Sequence, residues 1–376
     1  MLVSLYLIVA AGCSLVSAQD PWQKHTIKAK GIEVSLIGYG ARITNLLVND
    51  KHGNMQDVVV GYDDTKKYFN DTNYFGPIVG RYANRIKNGT FTIDGQTSHI
   101  VENEHNGLNP LHGGLVGYDK RNWTLTAQNM TSITFTFLDP GYEGFPGTVL
   151  NHATYAVSEN RLTITLVSLA LDKPTPIMLA SHVYWNLNAW TQGAAGSKIT
   201  NHVLHMPYSK RIEAIDGILI PTGQLTPVAG TPFDFTNPKT VGKEIQNAKS
   251  CGTGCVGYDN AFILDRPRSA AKEDSNLVVL SLSSPVTGIQ LDIRTNQQSL
   301  QFYSCVGQAG TVPLKKSQQH GSKPEYVEKY GCAVIETQQW IDGINHPEWG
   351  QQDFQIYTPA TGPAVNYATY DFSITE

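Results

Sequence analysis

Short segments of alternating apolar and polar residues recur along almost the whole chain. Successive side chains of an extended strand point to opposite faces, so this period of two predicts half-buried β-strands. Turn-forming residues separate the segments, and Asp94-Gly95 predicts a tight hairpin turn. The predicted strands span residues 32–37, 42–48, 57–60, 90–93, 132–138, 153–157, 162–169, 276–282, 288–294, 354–358 and 367–374.

Helical periodicity is scarce by comparison. The best short candidates are residues 63–69 and 241–248, with Asp63 and Thr240 as N-caps. No fixed-length repeat is visible, and no low-complexity run divides the chain. Many short strands without a break predict one all-β domain, built as a large antiparallel β-sandwich or barrel with few short helices.

One strand-like run, VIETQ at 334–338, carries a carboxylate among apolar residues. Strand alternation places Val334, Glu336 and Gln338 on one face. Because burying an unpaired charge is costly, Glu336 either faces water on an edge strand or has a chemical role. The chemical interpretation is a general base in a cleft, with its pKa set by partial burial.

A second run, residues 176–188, also places polar groups on one side. As a continuous strand it would present Ala180, His182, Tyr184 and Asn186 on one face and mostly apolar residues on the other. A lone histidine is more often a structural residue than a catalyst. Beside a phenol and an amide, however, His182 suits a sugar site, where aromatic faces stack and amides bind hydroxyl groups.

The composition narrows the class of partner. Only 16% of the 376 residues are charged, and a net charge of −4 offers no basic patch for nucleic acid. No segment after the leader is long and apolar enough to span a bilayer. We therefore expect neither nucleic acid nor a membrane as a partner, and we expect a monomer because no coiled-coil pattern is present.

The first residues have the pattern of a targeting segment. Residues 2–16 are largely apolar and end in Val16-Ser17-Ala18 before Gln19-Asp20, a small-residue cleavage pattern. The apolar part is too short for a comfortable membrane span. We interpret residues 1–18 as a signal peptide and residues 19–376 as a single domain, which predicts a secreted protein.

Cleavage after residue 18 leaves four cysteines, and an even number in an exported chain permits two disulfides. Cys251 and Cys255 are close enough to close a small loop. Cys305 follows one strand-like run and Cys332 opens the Glu336 run, so these two could join neighbouring strands. A zinc site is the weaker interpretation, because no second close cysteine pair or histidine pair completes a tetrahedral set.

Several motifs interrupt the plain strand pattern, and each alone is weak evidence of a site. They are GRYANRIKNGTF (80–91), NPLHGG (109–114), EGFPG (143–147), SHVYWNLN (181–188), GYDNAFIL (257–264), LQFYS (300–304) and VIETQ (334–338). Together, in this order, they resemble the aldose 1-epimerases, also called galactose mutarotases. The resemblance extends from residue 80 to residue 338 and therefore covers most of the chain.

The resemblance implies a galactose mutarotase-like β-sandwich with the sugar in an open cleft on a broad curved sheet. It implies that Glu336 is the general base and His182 the general acid, with no cofactor and no metal. At Gln297 the chain departs from the family pattern, because Gln298-Ser299 stands where Pro-Gly is usual. The sugar-binding residues that the resemblance implies are Asn84, Arg85, His112, Asp259 and Gln297.

The implied reaction interconverts the α and β anomers of free aldohexoses such as glucose and galactose. A proton leaves the anomeric hydroxyl, another reaches the ring oxygen, and the opened aldehyde rotates before the ring closes on its other face. A positioned acid and base suffice for these transfers. Glu–His pairs can be tuned toward a neutral working pKa by partial burial and by their neighbours.

Other functions compete with this one. A glycoside-processing enzyme on the same sandwich would normally need two facing carboxylates, for which Glu336 and Asp259 are the candidates. A non-catalytic carbohydrate-binding module would not need both His182 and Glu336. An epimerase of phosphorylated hexoses would want further cationic groups, and only Arg81 and Arg85 cluster among the motifs.

We predict that the protein is exported, processed near Ala18 and glycosylated. The reason is the apolar leader combined with Asn-x-Ser/Thr acceptors. The acceptors are Asn70, Asn88, Asn122 and Asn129. Intact mass of the secreted form before and after glycosidase treatment measures both events, and an unmodified protein that begins at Met1 would contradict the prediction.

Overall fold

Antiparallel strands form nearly all of the regular structure. A computed structural model describes residues 19–193, 196–266, 276–321 and 325–375. The strands are β1 (His25–Ala29), β2 (Ile32–Ile37), β3 (Arg42–Asn49), β4 (Met55–Asp57), β5 (Ile78–Val79), β6 (Thr90–Ile93), β7 (Gln96–His99), β8 (Thr124–Gln128), β9 (Ser132–Asp139), β10 (Val149–Ser158), β11 (Arg161–Ala170), β12 (Thr175–Pro176), β13 (Ala180–Ser181), β14 (Tyr184–Trp185), β15 (Val203–His205), β16 (Arg211–Ile215), β17 (Pro221–Pro227), β18 (Lys239–Thr240), β19 (Asp259–Ile263), β20 (Leu280–Ser283), β21 (Ile289–Thr295), β22 (Ser299–Tyr303), β23 (Val312–Pro313), β24 (Tyr326–Val327), β25 (Ala333–Gln338), β26 (Ile356–Tyr357) and β27 (Ala364–Ile374).

The helical elements are short segments of 3-10 helix, and the described ranges contain no α-helix. None of these helices is long and apolar enough to cross a membrane. The 3-10 segments are Thr65–Asn70, Lys87–Gly89, Tyr118–Lys120, Tyr142–Gly144, Ile199–Asn201, Val241–Lys243, Lys316–Gln318, Gly343–Asn345, Pro347–Trp349 and Gln352–Phe354.

Two large sheets enclose the main core. The nine-stranded sheet has the order β18-β15-β20-β21-β27-β11-β10-β9-β8, and the six-stranded sheet has the order β14-β25-β22-β19-β16-β17. Burial alternates residue by residue along β10 and β11, as a sheet with one buried face requires. The sheets meet where the Trp185 ring of β14 stacks on the Tyr370 ring of β27, with centroids 5.6 Å apart. The predicted all-β sandwich is confirmed.

Strand β25 lies inside the six-stranded sheet, between β14 and β22. All six of its residues are buried, so the edge-strand interpretation of Glu336 is wrong. Ile335 packs in the main core together with Phe302 of β22. Because strand faces alternate, Glu336 points to the opposite face, where antiparallel pairing sets it directly across from Gln301.

Residues 176–188 do not form the continuous strand that the sequence predicts. They are divided into β12, β13 and β14, which pair with β26, β5 and β25 respectively. Between β13 and β14 the backbone of His182 leaves the ladder, because its N–H donates to Pro77 O and its carbonyl accepts from Gly76 N. The break turns His182 toward a loop while Trp185 still enters the core.

The predicted helices are shorter than expected. The first is the 3-10 segment Thr65–Asn70, and its N-cap is Asp64, whose side chain accepts from Lys66 N at 3.0 Å, so Asp63 is not the cap. The second is limited to Val241–Lys243, and Thr240 precedes it without a capping hydrogen bond.

The predicted and observed strand bounds agree best where a tight turn fixes the end of the strand. Segments 32–37 and 90–93 match β2 and β6 residue for residue, and Asp94-Gly95 connects β6 to β7 as predicted. Segment 57–60 is displaced, because β4 ends at Asp57 and the N–H of Val60 bonds instead to Tyr184 O of the six-stranded sheet. Only residues 356–357 of segment 354–358 are extended.

Both predicted disulfides are present, Cys251–Cys255 and Cys305–Cys332, each with 5.4 Å between its Cα atoms. Cys332 immediately precedes β25 and Cys305 lies two residues after β22, so the second disulfide ties the strands that carry Glu336 and Gln301. The interpretation of residues 1–18 as a signal peptide concerns residues outside the described ranges. All four predicted glycosylation acceptors are exposed: Asn70, Asn88, Asn122 and Asn129.

We predict that removing Cys305–Cys332 destabilises the fold more than removing Cys251–Cys255. Cys305–Cys332 closes a sequence separation of 27 residues, whereas Cys251–Cys255 closes a separation of 4. Cross-linking a longer loop removes more conformational entropy from the unfolded state. The double variant C305A/C332A should lose about 2–4 kcal/mol of unfolding free energy. Urea unfolding of both double variants measures this, and an equal loss in both would contradict it.

Candidate active site

A polar cavity of ≈ 360 Å³ opens on the outer face of the six-stranded sheet. Its size and its few convergent polar groups are typical of a small-molecule site. The structure brings together every predicted site residue except Gln297. Those that line the cavity are Asn84, Arg85, His112, His182, Asp259 and Glu336, and they are joined there by Tyr74, Glu104, Tyr184, Gln301, Tyr303 and the Cys251–Cys255 disulfide.

Glu336 is an almost fully buried acid. Its side chain is 3% exposed, and its Oε2 atom has no hydrogen-bond partner in the described structure. Burial, together with the Asp259 charge and against the opposing charge of Arg85, raises the pKa of Glu336 to about 8. A carboxyl group with its pKa near neutrality can both accept and release a proton.

His182 lies beside this carboxyl group, with 3.6 Å between its Nε2 and Glu336 Oε1. Its Nδ1 is 3.0 Å from the Tyr74 carbonyl oxygen, which can only accept, so Nδ1 carries a proton and donates. Any second proton must therefore sit on Nε2, facing Glu336. Burial lowers the pKa of His182 to about 4. Between these two pKa values the His182–Glu336 pair holds one proton, which belongs to the pair.

The loop that presents the Tyr74 carbonyl is held by a buried ion pair. Arg42 Nη1 is 2.7 Å from Asp71 Oδ2, and both side chains are almost fully buried. Asp71 Oδ2 also accepts from Phe75 N at 2.8 Å, and Arg42 Nη1 donates to Phe75 O at 2.7 Å. Residues 71–75 are thereby fixed, and with them the tautomer of His182.

His112 is held in the opposite tautomer. Its Nδ1 accepts the backbone N–H of Asn84 at 3.1 Å, so the neutral ring carries its proton on Nε2. Burial, reinforced by His182 and Arg85, lowers the pKa of His112 well below its usual range. His112 is therefore a neutral hydrogen-bond donor. Its ring contacts that of His182 edge to face, with centroids 4.8 Å apart.

A metal does not fit these residues. Potential ligand atoms of His112, His182 and Glu336 lie within 4.8 Å of one another. A ligating histidine offers one nitrogen lone pair while its other nitrogen donates a proton. His182 meets this condition, but His112 does not, because Nδ1 already accepts a hydrogen bond and Nε2 keeps the proton. Two ligands remain, fewer than the three of a typical catalytic zinc site.

Arg85 and Asn84 form a fixed pair on one wall. Arg85 Nη1 donates to Asn84 Oδ1 at 3.1 Å, and Asn84 Nδ2 donates to Gln338 Oε1 at 3.0 Å. The Nε and Nη2 edge of the guanidinium makes a bidentate pair with Glu104, with distances of 2.7 and 2.6 Å. Each side chain is thus oriented before a ligand arrives.

Asp259 of β19 and Gln301 of β22 project from the same face of the six-stranded sheet as Glu336. Gln301 Nε2 donates to Asp259 Oδ1 at 2.6 Å, which leaves the buried Gln301 Oε1 without a partner in the described structure. Burial raises the pKa of Asp259, while Arg85 and the Gln301 hydrogen bond oppose that shift. Gln301 Oε1 and Glu336 Oε2 are therefore two unpaired acceptors that line the same cavity.

Gln297 does not line this cavity, and its assignment to the sugar site is corrected. Its amide nitrogen donates to Asn296 Oδ1 at 2.6 Å and Val365 O at 3.0 Å, and its oxygen accepts from Gln339 at 2.9 Å. These bonds occupy the side chain in a separate small cleft. Gln301, four residues further along, occupies the position expected of Gln297.

Sequence reasoning missed Gln301, Glu104 and Tyr74. Gln301 had a usable signal, because it lies within the LQFYS motif and strand alternation places it on one face with Ser299 and Tyr303. Glu104 and Tyr74 lie in loops, where no periodicity predicts which way a side chain points.

Comparison with known proteins identifies the family of the chain. A model of the aldose 1-epimerase family matches residues 23–356. The chain belongs to this family. It is an isomerase, as are the family members named aldose 1-epimerase and galactose mutarotase.

Individual relatives extend over nearly the whole chain. A probable aldose 1-epimerase of Arthroderma benhamiae is 47% identical, with 97% of this chain and 90% of that protein covered. Galactose mutarotase of Sus scrofa is 33% identical, with 89% and 90% covered. The crystal structure of an aldose epimerase homologue from C. elegans superposes with a TM-score of 0.79 at 25% identity, covering 94% and 99%. The mutarotase-like fold is thereby confirmed.

We predict that Glu336→Gln stabilises the protein increasingly as the pH rises from about 4.5 to about 8. The folded-state pKa of Glu336 is raised, so the stability that its protonated form contributes is lost as pH rises through this window. Glutamine cannot ionise and loses nothing. Urea unfolding of both proteins at pH 5, 6.5 and 8 measures the difference, and a pH-independent difference would contradict the raised pKa.

Proposed function

We propose that the protein interconverts the α and β anomers of free aldohexoses, with glucose and galactose as the first substrates to test. The observation that carries the proposal is the one-proton pair of His182 and Glu336, buried at the floor of a polar cavity. The family assignment supports the reaction class.

Each proton has an assigned place in the proposed reaction. When the shared proton is on His182 Nε2, Glu336 is a carboxylate that takes the proton of the anomeric hydroxyl, while Nε2 gives its proton to the ring oxygen. The bond between the anomeric carbon and the ring oxygen breaks, and an aldehyde forms. Rotation about the adjacent carbon–carbon bond and the reverse transfers close the ring on the other face, which returns the pair to its starting state.

The remaining polar groups bind the sugar in this proposal. His112 donates through its fixed Nε2–H, and Asn84 and Arg85 lie on the same wall. Asp259 and the unpaired Gln301 Oε1 accept hydroxyl protons. Since hydrogen bonds within the protein already hold these groups, binding of the substrate requires little reorientation of their side chains.

The competing functions are less well supported. A hydrolase would leave the fixed His182 tautomer without a role, and a binding module would not require a carboxyl group with its pKa raised to about 8. For a phosphorylated hexose, Arg81 is out of reach, because it is buried against Asp139 at 2.6 Å. Arg85 alone remains, and Glu104 already pairs with it.

We predict that Glu336→Gln and His182→Asn each lower kcat by about 10²–10⁴-fold, since each removes one proton transfer. Asp259→Asn should instead raise KM, because a charge-assisted hydrogen bond becomes a neutral one. Polarimetry on freshly dissolved α-galactose and α-glucose gives both constants.

We predict that the wild-type rate, measured by polarimetry across pH, falls below about pH 4 and above about pH 8. Outside this window the His182–Glu336 pair holds two protons or none.

Glu213→Gln is the matched control. Glu213 is another fully buried glutamate of the six-stranded sheet, its burial also raises its pKa, and it lies outside the cavity. Its variant should keep kcat within a few-fold of wild type. Near wild-type turnover by Glu336→Gln would show that the base is misassigned.

A further inference from the structure

Arg85 is the only lysine or arginine among the described residues that line the cavity. Each of the three nitrogens of its guanidinium nevertheless already donates one hydrogen bond, so its charge is largely paired. Glu104 occupies the Nε and Nη2 side through two short hydrogen bonds, and Asn84 accepts from Nη1. A cation paired in this geometry has little attraction left for a second carboxylate or a phosphate.

The loop that carries Glu104 is built to hold this carboxylate. Glu104 N donates to Asn109 O at 3.2 Å, and Gly107 N donates back to Glu104 O at 3.0 Å, so the loop closes on itself. Asn109 Nδ2 donates to Glu104 Oε2 at 3.0 Å. The carboxylate is therefore tethered from its own loop and does not depend on Arg85 alone for its position.

The charges in the cavity do not cancel. The His182–Glu336 pair with its single proton is neutral as a whole, and His112 is neutral because burial lowers its pKa. Glu104 balances Arg85, and no second lysine or arginine among the described lining residues balances the carboxyl group of Asp259. In a partly dry cavity a further negative charge within several ångströms is repelled far more strongly than in bulk water.

We propose that Glu104 is a specificity-determining residue that excludes anionic sugars, so that the cavity accepts neutral aldoses and rejects uronic acids and sugar phosphates. The inference rests on the proposed function and goes beyond it, because it names the group that sets the charge of the substrate. Glu104 disfavours anions in two ways: it cancels the positive charge of Arg85, and it takes up two of the guanidinium nitrogens through which Arg85 could bind them. Rejection by a repulsive element is a common route to specificity.

The test compares galacturonic acid with galactose in the wild type, Glu104→Gln and Glu104→Asp. Glutamine keeps an oxygen that can accept from Arg85 but removes the charge, whereas aspartate keeps the charge on a shorter side chain. The measured quantity is the ratio of kcat/KM for galacturonate to that for galactose, at pH 7 and low salt. We expect this ratio to rise at least about tenfold in Glu104→Gln and to change less than about threefold in Glu104→Asp.

Calorimetric affinities for the same two sugars give a second reading of the ratio that does not require turnover. If no variant turns over galactose, the proposed function fails, while the affinity ratio still reports on Glu104. If wild type accepts both sugars equally, or if Glu104→Gln leaves both ratios unchanged, the inference is overturned. An equal rise in Glu104→Asp would also overturn it, because geometry and not charge would then be the cause.

Discussion

The transfer of one carboxyl group out of water is the constraint on which the candidate site depends. Glu336 lies on an interior strand, and its isolated charge in that position would cost several kcal/mol. The cost is reduced because the pair with His182 can hold a single proton and remain neutral overall. The same burial that makes the ionised state costly moves the pKa of Glu336 to about 8 and that of His182 to about 4. Reactivity and instability at this position therefore have one physical cause.

Backbone groups divide the two histidines into different roles. A carbonyl at Nδ1 gives His182 a proton there, whereas an N–H at Nδ1 of His112 excludes one. The rings touch and both are buried, yet one has a bare Nε2 and the other an Nε2–H. The two backbone groups are the Tyr74 carbonyl and the Asn84 N–H, which belong to different segments of the chain. The sheet supplies Glu336, and these backbone contacts decide which protons the imidazoles carry.

The predictability of the molecule from its sequence follows from this division. Strand alternation correctly predicted that Glu336 and Ile335 point to opposite faces of the sheet, because burial of one face fixes the register of the strand. The motifs brought His182, His112, Asn84, Arg85 and Asp259 to one cavity. The failures are local: residues 176–188 break into three pieces because each piece has a different partner, and Gln297 makes its hydrogen bonds elsewhere. Glu104 meets Arg85 through a loop closed by its own hydrogen bonds, and no periodic pattern encodes such a contact.

The pairing of β22 with β25 has a consequence for how the active site forms during folding. Gln301 and Glu336 are cross-strand neighbours, so a slip of one residue would turn one of them into the core and bring an apolar side chain into the cavity. A chain paired out of register could bury a similar apolar area and still have no site. Recovery of function after denaturation would then report on the correctness of this single strand pairing and not on compaction. The Cys305–Cys332 disulfide lies just beyond the paired residues and covalently links the two strands in the correct register.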